Sequence, residues 1–199
     1  MKRLLLLIPL ILCLSLGALA QGPTPADVKK TTDVLEKMRQ IDLLNQMLPL
    51  LLQKDQMKKL LDVIDKARRD VRTQEAEEAK LIAGYADRVN QAVTNGIEKG
   101  DVPDKALLKE LNALIQLMTM KRRAIADDNT DMVLAVVKTT LNAGQIKAAA
   151  NSLSTAYTNP GVKPEEVKEE DKLRFFVRDI LLDPLAYDIL DRMYRSKIG

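Results

Sequence analysis

The chain has 199 residues and a formal net charge of +3, and 46% of its residues are hydrophobic although only 3% are aromatic. It contains no histidine, no tryptophan and a single cysteine, which excludes a disulfide scaffold and leaves zinc without its usual nitrogen and sulfur ligands. The near-neutral charge also excludes a general nucleic-acid binder. The apolar residues are mainly Leu, Ala, Val, Ile and Met, which suit packing between helices, so an all-α fold is predicted.

The N-terminus has the three parts of a secretory signal peptide. Lys2 and Arg3 precede an uncharged apolar run over residues 4–16, and Ala18 and Ala20 form a small-residue cleavage site. A retained anchor is the alternative, but the run is shorter than the roughly 20 residues that a membrane span needs. We therefore predict cleavage after Ala20, a periplasmic or secreted location, and no stable membrane anchor afterwards. Without Lys2 and Arg3 the mature net charge is +3 − 2 = +1.

The mature chain, residues 21–199, is predicted to form a single helical domain. Its first helix begins at Thr24, with Pro25 at the first helical position and Asp27 in the first turn, and it ends at Pro49. The apolar side of this helix carries Val28, Leu35, Met38, Ile41 and either Leu44 or Leu48.

The longest predicted helix runs from Lys54 to about Thr94 and contains no proline and one glycine, Gly84. At about 1.5 Å per residue it would extend roughly 60 Å, too far to be buried within one small domain, which predicts an extended fold and a homodimer. Asn95 and Gly96 predict its end. The next helix, starting near Pro103, is expected to return along it as an antiparallel hairpin because the connection is short.

Three further features are predicted in the rest of the chain. The polar residues 126–131 predict a turn between helices. A further helix is predicted from Asn142 to about Tyr157, followed by a mobile linker over residues 159–171. Asp183 and Pro184 then predict the cap and the first position of a last helix.

Two helix starts share the pattern L-x-x-x-Q-(M or I)-K, over residues 52–58 and 141–147. A polar cap followed three residues later by glutamine satisfies amides at a helix start, and the preceding leucine can pack on the first turn. Two ordinary capped helices explain the repeat equally well. The residues that carry it are Leu52 and Gln56 in the first copy, and Leu141, Asn142 and Gln145 in the second.

In a helical, aromatic-poor chain with a signal peptide, this doubled motif resembles the LTxxQ family of periplasmic proteins. The chain departs from the family pattern at the threonine, which is Gln53 in one copy and Asn142 in the other. The resemblance implies an antiparallel homodimer of bent helical hairpins that forms a shallow cradle. It also implies an ATP-independent chaperone for unfolded envelope proteins, or a regulator of envelope stress signalling. Zinc binding, known among related members, is not expected here because the ligands are missing.

Basic and methionine side chains are the candidates for a client-binding surface. A positive surface attracts acidic unfolded segments, and flexible thioethers accept varied partners. The candidates are Arg122, Arg123, Met120, Arg68 and Arg69. A solvated helix face, balanced by neighbouring aspartates, is the alternative interpretation of most of the basic residues.

No nucleophile motif, phosphate loop or metal-ligand pattern accompanies the 28 Asp and Glu residues, so neither an enzyme nor a cofactor is predicted. The leading hypothesis is a chaperone that binds unfolded or partly folded proteins. An alternative is a protein that docks on the sensor domain of an envelope signalling protein. A third is association of amphipathic helices with a membrane surface, which the absence of interfacial tryptophan disfavours.

Overall fold

Residues 24–152, 163 and 166–196 are described by a computed structural model, and every regular element in them is helical. The predicted all-α class is confirmed. The signal peptide predicted over residues 1–20 lies outside the described residues. The elements are α1 (Pro25–Met47), a 3₁₀ turn (Leu48–Leu50), α2 (Lys54–Ala83), α3 (Ala86–Lys99), α4 (Lys105–Thr140), α5 (Ala143–Asn151), α6 (Glu169–Phe176), a π-helical turn (Val177–Leu181) and α7 (Pro184–Arg195).

The chain divides into two units, Met1–Ile41 and Asp42–Gly199, and the boundary falls inside α1. The single domain over residues 21–199 stays a prediction. The described part of the first unit is residues 24–41, which include most of α1. There the Thr24 hydroxyl donates to Asp27 Oδ2 (2.7 Å), and the Asp27 N–H donates to Thr24 Oγ1 (3.2 Å), which confirms the predicted helix start. On the predicted apolar side of α1, Leu44 is partly buried against the core. The other residues of that side are exposed: Val28, Leu35, Met38, Ile41 and Leu48.

The prediction of a single long helix from Lys54 to Thr94 is wrong, because a turn interrupts the helix between α2 and α3. At the break the Tyr85 N–H donates to Ile82 O (3.0 Å), three residues back instead of four. Glycine favours helix less than other residues apart from proline, and Gly84 stands at this point. The predicted stop at Asn95 and Gly96 is also wrong, since α3 continues to Lys99 and ends at Gly100 (φ 72°).

The longest helix is α4, whose 36 residues extend about 54 Å. Asp104 caps its N-terminus, and Asp104 Oδ1 accepts the Ala106 N–H (3.1 Å). The turn predicted over residues 126–131 is wrong, because these residues lie inside α4. Tertiary contacts satisfy their polar groups: Asn129 donates to Ala67 O (3.3 Å), and Arg174 contacts both Asp131 and Asp127.

Helices α2 and α4 form the predicted antiparallel hairpin. The cross-helix contacts show its register: Ala67 meets Asn129, Glu78 meets Arg122, and Arg88 of α3 meets Glu110 of α4. Residue numbers therefore rise along α2 and α3 while those of the facing residues fall along α4. The result is a long arm with a base near Gln56 and Thr140.

The hydrophobic core lies at the base of this hairpin. The end of α1, the first half of α2 and the last third of α4 pack there with α5, α6, the π-helical turn and α7. The fully buried large side chains include Leu43, Met47, Met57, Leu60, Ile64, Val133, Val137, Phe176, Leu181 and Leu190. Burial of these side chains, at about 1.5–3 kcal/mol each, stabilises the base relative to the arm.

The C-terminal helices follow the sequence predictions in part. Asp183 Oδ1 accepts the Leu185 N–H (2.8 Å) and Pro184 is the first residue of α7, which confirms the predicted cap. Helix α6 begins at Glu169, inside the range predicted as a linker, and residues 159–162, 164 and 165 lie outside the described part. Helix α5 extends to Asn151, and the end predicted at Tyr157 also lies outside it.

Candidate functional site

The two copies of the repeated motif meet at the base of the hairpin. Gln56 Nε2 donates to Gln145 Oε1 (2.9 Å), and Gln145 Nε2 donates back to Gln56 Oε1 (3.0 Å). The two glutamines are 89 positions apart in the chain, yet they form a reciprocal pair of amide hydrogen bonds. The starts of α2 and α5 are thereby joined.

Each glutamine also bonds to its own helix start and to the opposite segment. Gln56 Oε1 accepts the Gln53 N–H (2.9 Å), and Gln145 Oε1 accepts the Asn142 N–H (2.9 Å). The second amide hydrogen of Gln56 is donated to Thr140 O (3.0 Å), and that of Gln145 is donated to Leu50 O (2.9 Å). Both side-chain amides thus use two donor hydrogens and accept two hydrogen bonds, which is their full capacity.

The remaining motif residues support this junction. The leucines before the two helix starts, Leu52 and Leu141, are both buried in the core. Asn142 Oδ1 accepts the Gln145 N–H (3.0 Å), which completes the capping box predicted for α5. The five motif residues therefore form one structural junction at the base of the arm.

We define the outer hairpin as residues 73–125, the part of the arm beyond the core. Only Gln74, Glu78 and Leu107 are buried within it. Nine large apolar side chains are exposed there, led by Val102, Ile97 (80% exposed) and Met120 (69%); the others are Leu81, Ile82, Val93, Leu108, Ile115 and Leu117. The same segment carries eight Lys or Arg and eight Asp or Glu residues, so its net charge is zero.

A buried carboxylate links the two helices of the arm, α2 and α4. Arg122 Nε lies 2.9 Å from Glu78 Oε1 and 2.8 Å from Oε2, and its Nη2 also contacts the carboxylate. Gln74 Nε2 donates to Glu78 Oε1 (3.0 Å). The hydrogen bonds from Arg122, followed by the one from Gln74, lower the pKa of Glu78, whose side chain is only 4% exposed. Glu78 therefore stays ionised at neutral pH and links α2 to α4 through Arg122.

The candidate client-binding residues fall into different surroundings. Arg122 is bound to Glu78, and Arg69 pairs with Asp65 on its own helix. Arg123 is exposed, and its side chain forms no hydrogen bond or ion pair with the described residues. The exposure of Met120 agrees with its position off the main apolar side of α4.

Arg68 lies near the base instead. Its guanidinium stacks on the Tyr187 ring (4.4 Å to the centroid) and lies 3.7 Å from Asp188 Oδ1. Since Arg122 is opposite Glu78, ten residues along α2 from Arg68, the two arginine sites are about 15 Å apart along the arm. The predicted basic residues do not form one continuous patch.

Sequence reasoning missed Glu78 as the partner of Arg122. The available signal was the four-residue spacing of Gln74 and Glu78 on α2, which puts both side chains on one helix face. In the described part of the chain, no group of three or more His, Cys, Asp or Glu side chains is arranged to hold a metal ion. None of the described helices is long and apolar enough to cross a membrane.

No protein-family profile, curated protein or solved structure matches the chain.

Proposed function

We propose that this chain is an exported, ATP-independent binding protein of the LTxxQ type that holds unfolded or partly folded envelope proteins on its outer hairpin. The observation that carries the proposal is the exposure of nine large apolar side chains on an arm that has almost no core of its own. Large exposed apolar patches are typical of interaction sites. No catalytic role is proposed for any residue.

The charge of the arm fits a broad range of clients. Its eight basic and eight acidic residues balance, and Arg88, Lys121 and Arg122 are already paired with Glu110, Glu77 and Glu78. Attraction would therefore come from burial of apolar area, at about 25 cal/mol per Å², more than from charge. Arg123 and Met120 stand together on α4 as candidate contacts for a client.

The test is light scattering of two unrelated aggregating proteins, with and without stoichiometric mature chain and with no ATP. We expect suppression of both. The double variant Ile97→Asn with Ile115→Asn should lose most of the suppression, because it removes two exposed apolar side chains. The control Ile41→Asn changes an equally exposed isoleucine outside the arm and should retain it.

Three results would count against the proposal: no suppression by the wild type, full activity of the double variant, or an equal loss in the control. Protection of a single protein only would favour the regulatory alternative, in which the arm docks on an envelope sensor. Binding to liposomes in a flotation experiment would favour association with a membrane surface.

We also propose that the chain forms a homodimer. The arm is long, and one chain leaves much of its apolar surface uncovered, so a second copy could cover part of it. Light scattering coupled to size exclusion at micromolar concentration should give twice the mass of the mature chain. A monomeric mass would contradict the dimer without bearing on client binding.

A further inference from the structure

A groove of about 510 Å³ lies beside the base of the arm, outside the outer hairpin. It is bounded by α2, by α4 and by the segment that joins the π-helical turn to α7. Its volume is within the range of about 300–1,000 Å³ that is typical of sites for small ligands. Its surface is mainly apolar, with Ile64, Ala67, Val71, Leu182 and Pro184 among its walls.

Three arginines, Arg68, Arg72 and Arg178, line this groove. Arg178 is paired with Asp179, its neighbour in sequence. Arg72 forms no hydrogen bond or ion pair with the described residues. Arg68 is ion-paired with Asp188 through Nη1, which lies 3.7 Å from Asp188 Oδ1, is shielded from solvent and forms no hydrogen bond. Arg72 therefore has an unpaired guanidinium, and Arg68 has an ion-pair partner but no hydrogen bond to it.

The acidic and polar side chains of the groove are already engaged. Asp183 caps α7 through the Leu185 N–H, Asn129 donates to Ala67 O, and the Thr130 hydroxyl donates to Ala126 O (2.7 Å). A peptide would bring amides that need both donors and acceptors. An alkyl chain brings none, so the apolar walls fit an alkyl chain better than a peptide backbone.

We propose that this groove binds a fatty carboxylate, with the carboxylate at Arg68 and Arg72 and the alkyl chain along the apolar walls. Arginine is suited to this task because its planar guanidinium bonds both oxygens of a carboxylate. The stacking of Arg68 on Tyr187 holds that guanidinium in place before the ligand arrives. The site is separate from the outer hairpin, so it does not depend on the proposed chaperone activity.

The experiment is calorimetric titration of the mature chain with dodecanoate below its micelle concentration. We expect saturable binding of one molecule per chain. Arg68→Met keeps most of the side-chain volume and removes the charge, and it should weaken binding tenfold or more. The matched control is Arg69→Met, the next residue on α2, which pairs with Asp65 outside the groove and should leave the affinity unchanged.

A second variant tests the groove itself. Ala126→Phe places a large side chain at an exposed position on the groove wall, and it should abolish binding while unfolding in urea remains close to that of the wild type. The proposal is overturned by no binding, by several weak equivalent sites, or by equal losses in Arg68→Met and Arg69→Met. It is also overturned if dodecyltrimethylammonium binds as tightly as dodecanoate, or if an apolar peptide with a free C-terminal carboxylate binds more tightly.

Discussion

Replacing Gln145 with alanine would remove four side-chain hydrogen bonds from the base of the arm. The Asn142 N–H and Leu50 O would lose their partners, and Gln56 would lose one acceptor and one donor. Loss of a capping interaction costs about 1 kcal/mol. Each further buried group left without a partner costs about 1–3 kcal/mol. Since Gln56 is half-buried and water can replace part of what it loses, we expect a total of about 3 kcal/mol.

The reciprocal bonds between Gln56 and Gln145 make a double-mutant cycle decisive. Gln56→Ala removes the same two shared bonds, together with those to the Gln53 N–H and Thr140 O, and should also cost about 3 kcal/mol. In the double variant the shared bonds are lost once instead of twice. The double variant should therefore cost about 4 kcal/mol, which corresponds to a coupling energy of about 2 kcal/mol.

The assay is urea unfolding of residues 21–199, followed by the helical circular dichroism signal. Gln116→Ala is the control, because the Gln116 side chain is exposed on α4 and forms no hydrogen bond with the described residues. It should change the free energy of unfolding by less than about 0.5 kcal/mol. Additivity of the two single variants within about 0.5 kcal/mol would refute the reciprocal pair. Single costs as small as the control would refute the importance of the junction.

The remaining predictions concern the arm. Because hydrogen bonds from Arg122 lower the pKa of Glu78, this pair stabilises the fold above the pKa of an unfolded glutamate, about 4.3, and its contribution is lost as pH falls through the lower folded value. In urea titrations, Arg122→Met should reduce stability at pH 7 more than Arg123→Met does, and should weaken the loss of stability on acidification; equal behaviour of the two variants would contradict this. In thermal unfolding, Gly84→Ala should stabilise by about 0.5 kcal/mol because its backbone is already helical (φ −64°). Gly100→Ala should destabilise by about 1 kcal/mol because φ is +72°, and effects of the opposite sign would contradict these assignments.

The all-α class and several helix starts follow from the sequence because their causes are local. The partners of Thr24, Asn142 and Asp183 lie two or three residues away, so the spacing of the residues is sufficient to place each cap. The antiparallel hairpin follows as well, because a short connection between two long helices leaves few other arrangements.

The helix boundaries show where local reasoning is insufficient. Residues 126–131 are polar and would favour a turn in isolation, because short polar side chains compete for backbone hydrogen bonds. In the folded chain, Asn129 is buried against α2 and Arg174 binds Asp131, so the same residues continue α4. The partner of Asn129 is 62 positions away, and no local pattern reveals it.

The candidate sites also combine local sequence features with pairings that depend on the tertiary structure. The sequence by itself determined the repeated motif, the low aromatic content and the helical periodicity, because each is a property of neighbouring residues. Only the tertiary structure decided that Gln56 bonds to Gln145 and that Glu78 holds Arg122. Those pairings depend on the register of helices that are distant in the chain, and register is set by the packing of the whole core at the base of the arm.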